Sequence, residues 1–240
     1  MNKIINFDTI QNMKIRHIIN LLTVSGGIFI CSFPLSAQND WGSSLNIGVS
    51  KKLTPKLNLS LEEDFRTRNN FSKVERFSTA LDLNYKFNNY LKLGGAYNLI
   101  NYNHETKGWQ VRHRYYFYGT GSFHFDRFTL SLRERFQSTY RVGVKETDTR
   151  SNPKLYLRNR LELNYNIAKS NWEPFISVEL YKPLNDKVDN KMDKVKYTVG
   201  TDYKINKHNS LEMFYRYNNF IDNDENDGQH IIGLGYMYKF

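Results

Sequence analysis

Cysteine is almost missing from this sequence: Cys31 is the only one among 240 residues. It lies in an N-terminal segment that we predict to be cleaved, so the mature chain would contain no cysteine. A chain without cysteine can form neither a disulfide nor a thiolate metal site. The remaining residues show no cluster with metal-ligand spacing. We therefore expect no metal and no cofactor.

The segment around Cys31 has the order of a secretory signal peptide. A basic stretch at residues 13–17 precedes an apolar run at 18–33, and the small residues Ser36 and Ala37 follow. The run is short for a membrane-spanning helix, which needs about 20 apolar residues. We predict a signal peptide over residues 1–37, with residues 1–12 as an upstream extension. The folded unit is then 38–240.

Proline is also scarce, and long apolar runs are absent after residue 37, yet 15% of the residues are aromatic. Removing residues 1–37 lowers the basic residues from 34 to 31 and the acidic ones from 24 to 23, so the net charge is +8. The basic residues alternate singly with apolar ones, and an exported chain is not expected to bind nucleic acid. A polar but aromatic-rich chain is typical of a membrane β-barrel.

Alternation of apolar and polar residues with a period of two dominates residues 41–240 and predicts strands. No helical periodicity competes with it. Strands of globular proteins usually have about 5–6 residues, whereas membrane strands need about 9–11, and these segments reach the longer length. The eleven predicted segments are 41–52, 56–67, 73–87, 90–103, 109–125, 128–140, 154–167, 172–182, 193–205, 210–221 and 229–240.

These segments predict an all-β fold, an antiparallel transmembrane β-barrel of about 10–12 strands in the outer membrane. Bacterial single-chain barrels normally have an even number of strands. We therefore expect ten full strands with 41–52 as a partial or extra element, or twelve strands if the chain contains one more than these segments. Phe240, and in the simplest case both ends of the mature chain, should be periplasmic. Tight turns should alternate with longer loops at 68–72, 104–108, 141–153, 183–192 and 222–228.

The last segment ends the chain on an aromatic residue, and its apolar side chains share one face. We predict that Tyr236, Tyr238 and Phe240 form the assembly signal that the barrel assembly machinery reads. The last strand suits this role because its backbone edge is unpaired until the barrel closes. Outer-membrane lipid and lipopolysaccharide are the other expected partners.

Several stretches resemble an uncharacterised outer-membrane barrel family, domain of unknown function 2490. They are Asp40-Trp41-Gly42, the acidic-to-basic stretch at 62–70, the basic and aromatic stretch at 112–116, and the charged stretch at 130–135. The resemblance covers roughly the whole mature chain. It implies a barrel in the outer membrane and brings no activity.

Arginine is the most informative residue for function. Eight arginines are predicted to point into the lumen, in the half near the longer loops, together with acidic residues. We favour a narrow, structural barrel filled by paired charges. The alternative is an anion-selective pore or a site for an anionic ligand, because arginine suits phosphate and carboxylate. The candidate cluster is Arg66, Arg76, Arg112, Arg114, Arg133, Arg135, Arg158, Arg160, Glu62, Asp64 and Glu162.

An outer-membrane lipid hydrolase is the second alternative, and it needs a nucleophile and a base within hydrogen-bond reach. The predicted register places His113 and Glu134 roughly 20 Å apart, and no Gly-x-Ser-x-Gly stretch occurs. We expect no enzyme. Strict alternation turns Glu63 and Glu134 toward lipid. A bulge that turns each inward, an interfacial position, or an outward patch for a partner protein or lipopolysaccharide would explain them.

Overall fold

The computed structural model describes residues 40–187, 191–221 and 228–240. The predicted signal peptide lies outside these residues. None of the described residues forms a helix that is long and apolar enough to cross a membrane. The chain forms eleven strands: β1 (Asp40–Lys52), β2 (Leu57–Arg68), β3 (Lys73–Lys86), β4 (Leu91–His104), β5 (Gly108–Phe125), β6 (Phe128–Arg141), β7 (Lys154–Tyr165), β8 (Trp172–Pro183), β9 (Lys194–Lys204), β10 (Asn209–Phe220) and β11 (Gly228–Lys239).

The strands close into one barrel in which every strand pairs with two neighbours. Ten of the eleven pairings join strands that are consecutive in sequence and antiparallel. The predicted fold class is confirmed, and each predicted strand lies within two residues of the observed one. Alternation predicted the bounds well because each strand has one apolar outer face and one polar inner face.

The barrel is apolar outside and polar inside, the reverse of a soluble sandwich. Leu132, Leu161 and Ile176 are about half exposed on the outer face. On β7, the alternate residues Arg158, Arg160 and Glu162 face the lumen. The buried apolar cluster is small and comprises Phe175, Phe214 and Ile231, which share the inner faces of β8, β10 and β11. Most of the apolar surface therefore lies outside.

The expectation of ten full strands is wrong, because β1 is a complete strand. It pairs antiparallel with β2 and parallel with β11, where Asp40 lies opposite Gln229 and Ser50 lies opposite Lys239. The even-number rule assumes that the first and last strands are antiparallel. A parallel pair closes this barrel with an odd number.

Because β1 and β11 are parallel, the first and last described residues lie at opposite ends of the barrel. Asp40 lies at the end where β10 and β11 are connected. Phe240 lies at the opposite end, where its backbone N–H donates to Ser50 O at 2.8 Å. The expectation that both ends of the mature chain share one side is therefore wrong for the strand that begins at Asp40.

Short turns join the strands at the Phe240 end. Asn88 Oδ1 accepts the backbone N–H groups of Tyr90 and Leu91 at 2.8 and 2.7 Å, and Asp126 has a φ of 49° in another turn. At the opposite end, residues 142–153 form a longer loop, and residues 184–187 and 191–193 are the described parts of the connection between β8 and β9. The predicted loops 68–72 and 104–108 lie within one residue of the observed connections 69–72 and 105–107, but these are as short as the turns at the Phe240 end. Most of the predicted loop 222–228 lies outside the described residues.

Candidate anion-binding lumen

Four of the eight candidate arginines form ion pairs on the inner wall. Asp64 pairs with Arg66 at 3.1 Å and with Arg76 at 2.8 Å. Each of these side chains is about 15% exposed, so the pairs are largely shielded from bulk water. Arg158 Nη2 lies 2.7 Å from Glu179 Oε1, and Arg160 Nη2 lies 3.1 Å from Glu162 Oε2. These pairs crosslink neighbouring strands or residues of one strand.

The other four candidate arginines form no ion pair with a carboxylate of the described residues. Their guanidinium groups contact tyrosine rings or threonine hydroxyls, which carry no negative charge. Arg112 lies 3.7 Å from the centroid of Tyr102, and Arg135 lies 4.3 Å from that of Tyr116.

Arg114 and Arg133 each donate to a threonine hydroxyl instead. Arg114 Nε donates to Thr139 Oγ1 at 3.2 Å, and Arg133 Nε donates to Thr120 Oγ1 at 3.0 Å. A neutral hydroxyl satisfies the donor and leaves the positive charge uncompensated. These arginines therefore carry positive charge on the inner wall that no carboxylate in contact with them neutralises.

A cavity of about 810 Å³ occupies the half of the lumen near the longer loops. This volume lies within the range of small-molecule sites, about 300–1,000 Å³. A second cavity of about 420 Å³ lies beside it and shares Arg114, Gln137, Tyr181, Lys194 and Phe220 with the first. The candidate residues that line the first cavity are Glu62, Asp64, Arg66, Arg76, Arg114, Arg135 and Arg158, and Arg112 lines the second.

The expectation that all eight arginines occupy this half is wrong for two of them. Arg133 lies nearer the Phe128 end of β6, at the short turns, and Arg160 lies opposite it on β7. Neither lines the two cavities, and neither does Glu162. The prediction counted strand faces correctly but did not include the depth of each residue along its strand.

Sequence reasoning missed several residues of the cavity wall, among them Lys194, Lys196 and Tyr181. Alternation along β9 could have found the two lysines, because they share the inward face with Thr198 and Asp202. Tyr181 is 7% exposed and had no signal beyond its inward position on β8.

Glu63 and Glu134 face outward, so the prediction of an inward-turning bulge is wrong. The pairing runs without interruption through both residues, and the one register shift of β2 falls between Arg66 and Thr67. Each carboxylate accepts a hydrogen bond from an outward polar residue on the next strand. Thr79 Oγ1 donates to Glu63 Oε1 at 2.8 Å, and Asn159 Nδ2 donates to Glu134 Oε2.

The proposed base and acid of a hydrolase lie apart on the outer wall. His113 lies opposite Tyr140, and Glu134 lies opposite Gly119. His113 instead contacts Tyr97, with 2.7 Å between Nδ1 and the hydroxyl oxygen. No group of three or more His, Cys, Asp or Glu residues that could hold a metal ion occurs in the described part of the chain.

The C-terminal aromatic residues lie on the outer wall at the short-turn end. Tyr236 donates its hydroxyl to Asn209 Oδ1. The rings of Tyr238 and Phe240 meet edge to face with centroids 4.8 Å apart, and Phe240 is 65% exposed. This arrangement leaves the ring of Phe240 free to contact another surface.

A family model described as "Protein of unknown function (DUF2490)" matches residues 41–230. No curated protein has a sequence that matches this chain. Among solved structures, the NanC porin is 14% identical with a TM-score of 0.49, and the match covers 74% of this chain and 86% of that one. OccAB4 of Acinetobacter baumannii is 12% identical with a TM-score of 0.36, covering 75% and 51%. The beta domain of the Bordetella autotransporter Brka is 12% identical with a TM-score of 0.39, covering 77% and 82%.

Proposed function

The chain belongs to the DUF2490 family, a family of unknown function, and from that premise we propose a location and a role. The protein is an outer-membrane barrel whose lumen admits and binds anions from the end with the longer loops. The proposal rests on the polarity of the two faces of the barrel wall and on the charge of its lumen.

The outer face supports the membrane location. Exposed aliphatic side chains, with some aromatic ones such as Phe117, cover the middle of the wall, and further exposed aromatic residues lie at both ends. Trp41, Trp109 and Tyr140 lie near the longer loops, whereas Phe87 and Phe123 lie near the short turns. Aromatic girdles that flank an apolar band are typical of outer-membrane barrels.

One observation supports the anion role above all others: cations without carboxylate partners line the larger cavity. Arg114, Arg135, Lys194 and Lys196 all contribute to its wall, and none forms an ion pair within the described residues. Like charges that share a narrow lumen repel each other, and an entering anion relieves that repulsion. Rings of Arg and Lys select anions in pores for the same reason.

A structural role for the lumen is the second candidate, and the four ion pairs favour it. Asp64 and Glu179 each neutralise an arginine that reaches across from a neighbouring strand. Such pairs hold a narrow barrel rigid. The two candidates differ in conductance, because a lumen that only braces the wall carries little current.

The test is the reversal potential of the purified protein in a planar bilayer under a potassium chloride gradient. The unmodified barrel should give a potential on the side of chloride selectivity. Arg135→Gln should reduce it, because Arg135 lines the larger cavity. Arg127→Gln is the matched control, since Arg127 lies in the β5–β6 turn at the opposite end and should leave the potential unchanged. A barrel that does not conduct, or that prefers potassium, overturns the proposal.

A further inference from the structure

Three cations surround the ring of one buried tyrosine in the cavity wall. Arg158 Cζ lies 4.3 Å from the ring centroid of Tyr181, and the Nζ atoms of Lys194 and Lys196 each lie 4.6 Å from it. A tyrosine ring attracts cations through its negative face. It does not neutralise them, so the charges still require a counterion.

The local charge is not balanced. Glu179 is the carboxylate that contacts this group: Arg158 donates to its Oε1 at 2.7 Å, and the Tyr181 hydroxyl donates to its Oε2 at 3.1 Å. Glu179 also lies directly opposite Lys196 on the neighbouring strand, and Glu75 lines the same cavity, but in the described residues neither carboxylate forms an ion pair with a lysine of this group, so cations outnumber the carboxylates that contact them. The cations without such a contact are Lys194 and Lys196, which form no hydrogen bond or ion pair with the described residues.

The uncompensated lysines can reach a ligand. Both line the larger cavity, and Lys194 also lines the smaller one, together with Tyr181. The guanidinium group of Arg158 already donates to Glu179. Its Nη1 also donates to Gln137 Oε1 at 2.7 Å. Each lysine ammonium, in contrast, has three donors and no acceptor in the described residues. The site therefore combines side chains that are held by hydrogen bonds with two lysine ammonium groups that can donate to a ligand.

We propose that Lys194 and Lys196 bind a small dianion of the phosphate type beside Tyr181. A phosphate monoester has a charge of about −1.5 to −2 at neutral pH and three acceptor oxygens, which matches two free ammonium groups. Lysine binds phosphate as a point charge and imposes no planar geometry. The inference rests on the proposed function, since it names a ligand for the same lumen.

The experiment measures binding of inorganic phosphate to the purified, folded full-length barrel in detergent by calorimetry at constant ionic strength. Lys194→Gln with Lys196→Gln should weaken binding by about tenfold or more, because charge-assisted hydrogen bonds are lost. The matched control is Lys92→Gln with Lys204→Gln, which removes the same charge from the inner face of β4 and β9 near the short turns. It should change the affinity by less than about twofold, as expected for distant, independent sites.

Other outcomes overturn the inference in distinguishable ways. Equal phosphate affinity of the two double variants overturns the site, even if the bilayer potential shows chloride selectivity. Tighter binding of succinate than of phosphate overturns the ligand class and leaves the cationic site in place. Absence of phosphate binding overturns the inference, and if chloride selectivity is also absent, the proposed function fails with it. Heat-modifiable migration in gels verifies that each variant is folded.

Discussion

Arg76 on β3 makes two hydrogen bonds to one oxygen of Asp64 on β2. Its Nε and Nη2 donate to Asp64 Oδ2 at 3.1 and 2.8 Å. Arg66 Nε also donates to Asp64, at 3.1 Å to Oδ1. A single carboxylate therefore compensates two arginines that lie directly opposite each other on neighbouring strands.

Asp64→Asn should destabilise the barrel, because it leaves Arg66 and Arg76 opposite each other without the carboxylate that contacts both. The cost should be about 2 kcal/mol in the free energy of unfolding. Breaking a fully buried pair costs about 3–5 kcal/mol, and these side chains keep about 15% of their surface exposed. Denaturant unfolding followed by tryptophan fluorescence measures it. Glu173→Gln is the control, since the exposed pair of Glu173 with Lys204 should contribute less than about 1 kcal/mol. Equal effects would contradict a structural role for Asp64.

The parallel seam between β1 and β11 predicts a specific disulfide. Ser43 lies directly opposite Ile232, and neighbouring strands lie about 4.8 Å apart, which suits a disulfide. In a Cys31→Ser background, Ser43→Cys with Ile232→Cys should crosslink under mild oxidation. Ser43→Cys with Tyr236→Cys is the mismatched control and should not. Crosslinking of the control alone would show that the seam has another register.

The sequence predicted the strands closely because the lipid-facing and lumen-facing sides impose one alternation on every segment. It did not predict that the number of strands is odd, because alternation indicates which face of the sheet a residue lies on and not which strand its own strand pairs with. For the same reason it placed Arg133 and Arg160 on the correct face at the wrong depth. The contacts of Arg112 and Arg135 with tyrosine rings depend on register across strands, which one segment alone does not encode.

Because Glu134 faces outward and is hydrogen-bonded to Asn159, we predict that removing one partner lowers stability more than removing both. Asn159→Leu removes its hydrogen-bond donor and should cost about 1–3 kcal/mol, because a polar group is left unsatisfied in an apolar setting. Glu134→Leu with Asn159→Leu should restore most of that stability, since both polar groups are gone. Denaturant unfolding in the same lipid measures both. A double variant that is less stable than Asn159→Leu would contradict this account.

The C-terminal aromatic residues should act in assembly. Tyr238→Ser with Phe240→Ser should lower the amount of protein inserted in the membrane, because the assembly machinery would lose the aromatic end of the last strand. Tyr85→Ser with Phe87→Ser is the matched control: it removes two exposed aromatic rings at the same end of the barrel, on and just after β3. Quantitative immunoblots of membrane fractions measure the levels. Equal losses in the two variants would assign the effect to lipid contact alone.

The most direct test of an anion-binding lumen is to locate an anion inside it. Crystals of the full-length barrel grown in sodium bromide and measured at the bromine absorption edge would report bound anions through their anomalous signal. We expect bromide peaks inside the larger cavity, beside Arg114, Arg135, Lys194 or Lys196. Bromide peaks only on the outer surface or in the loops, with none in the lumen, would contradict the account.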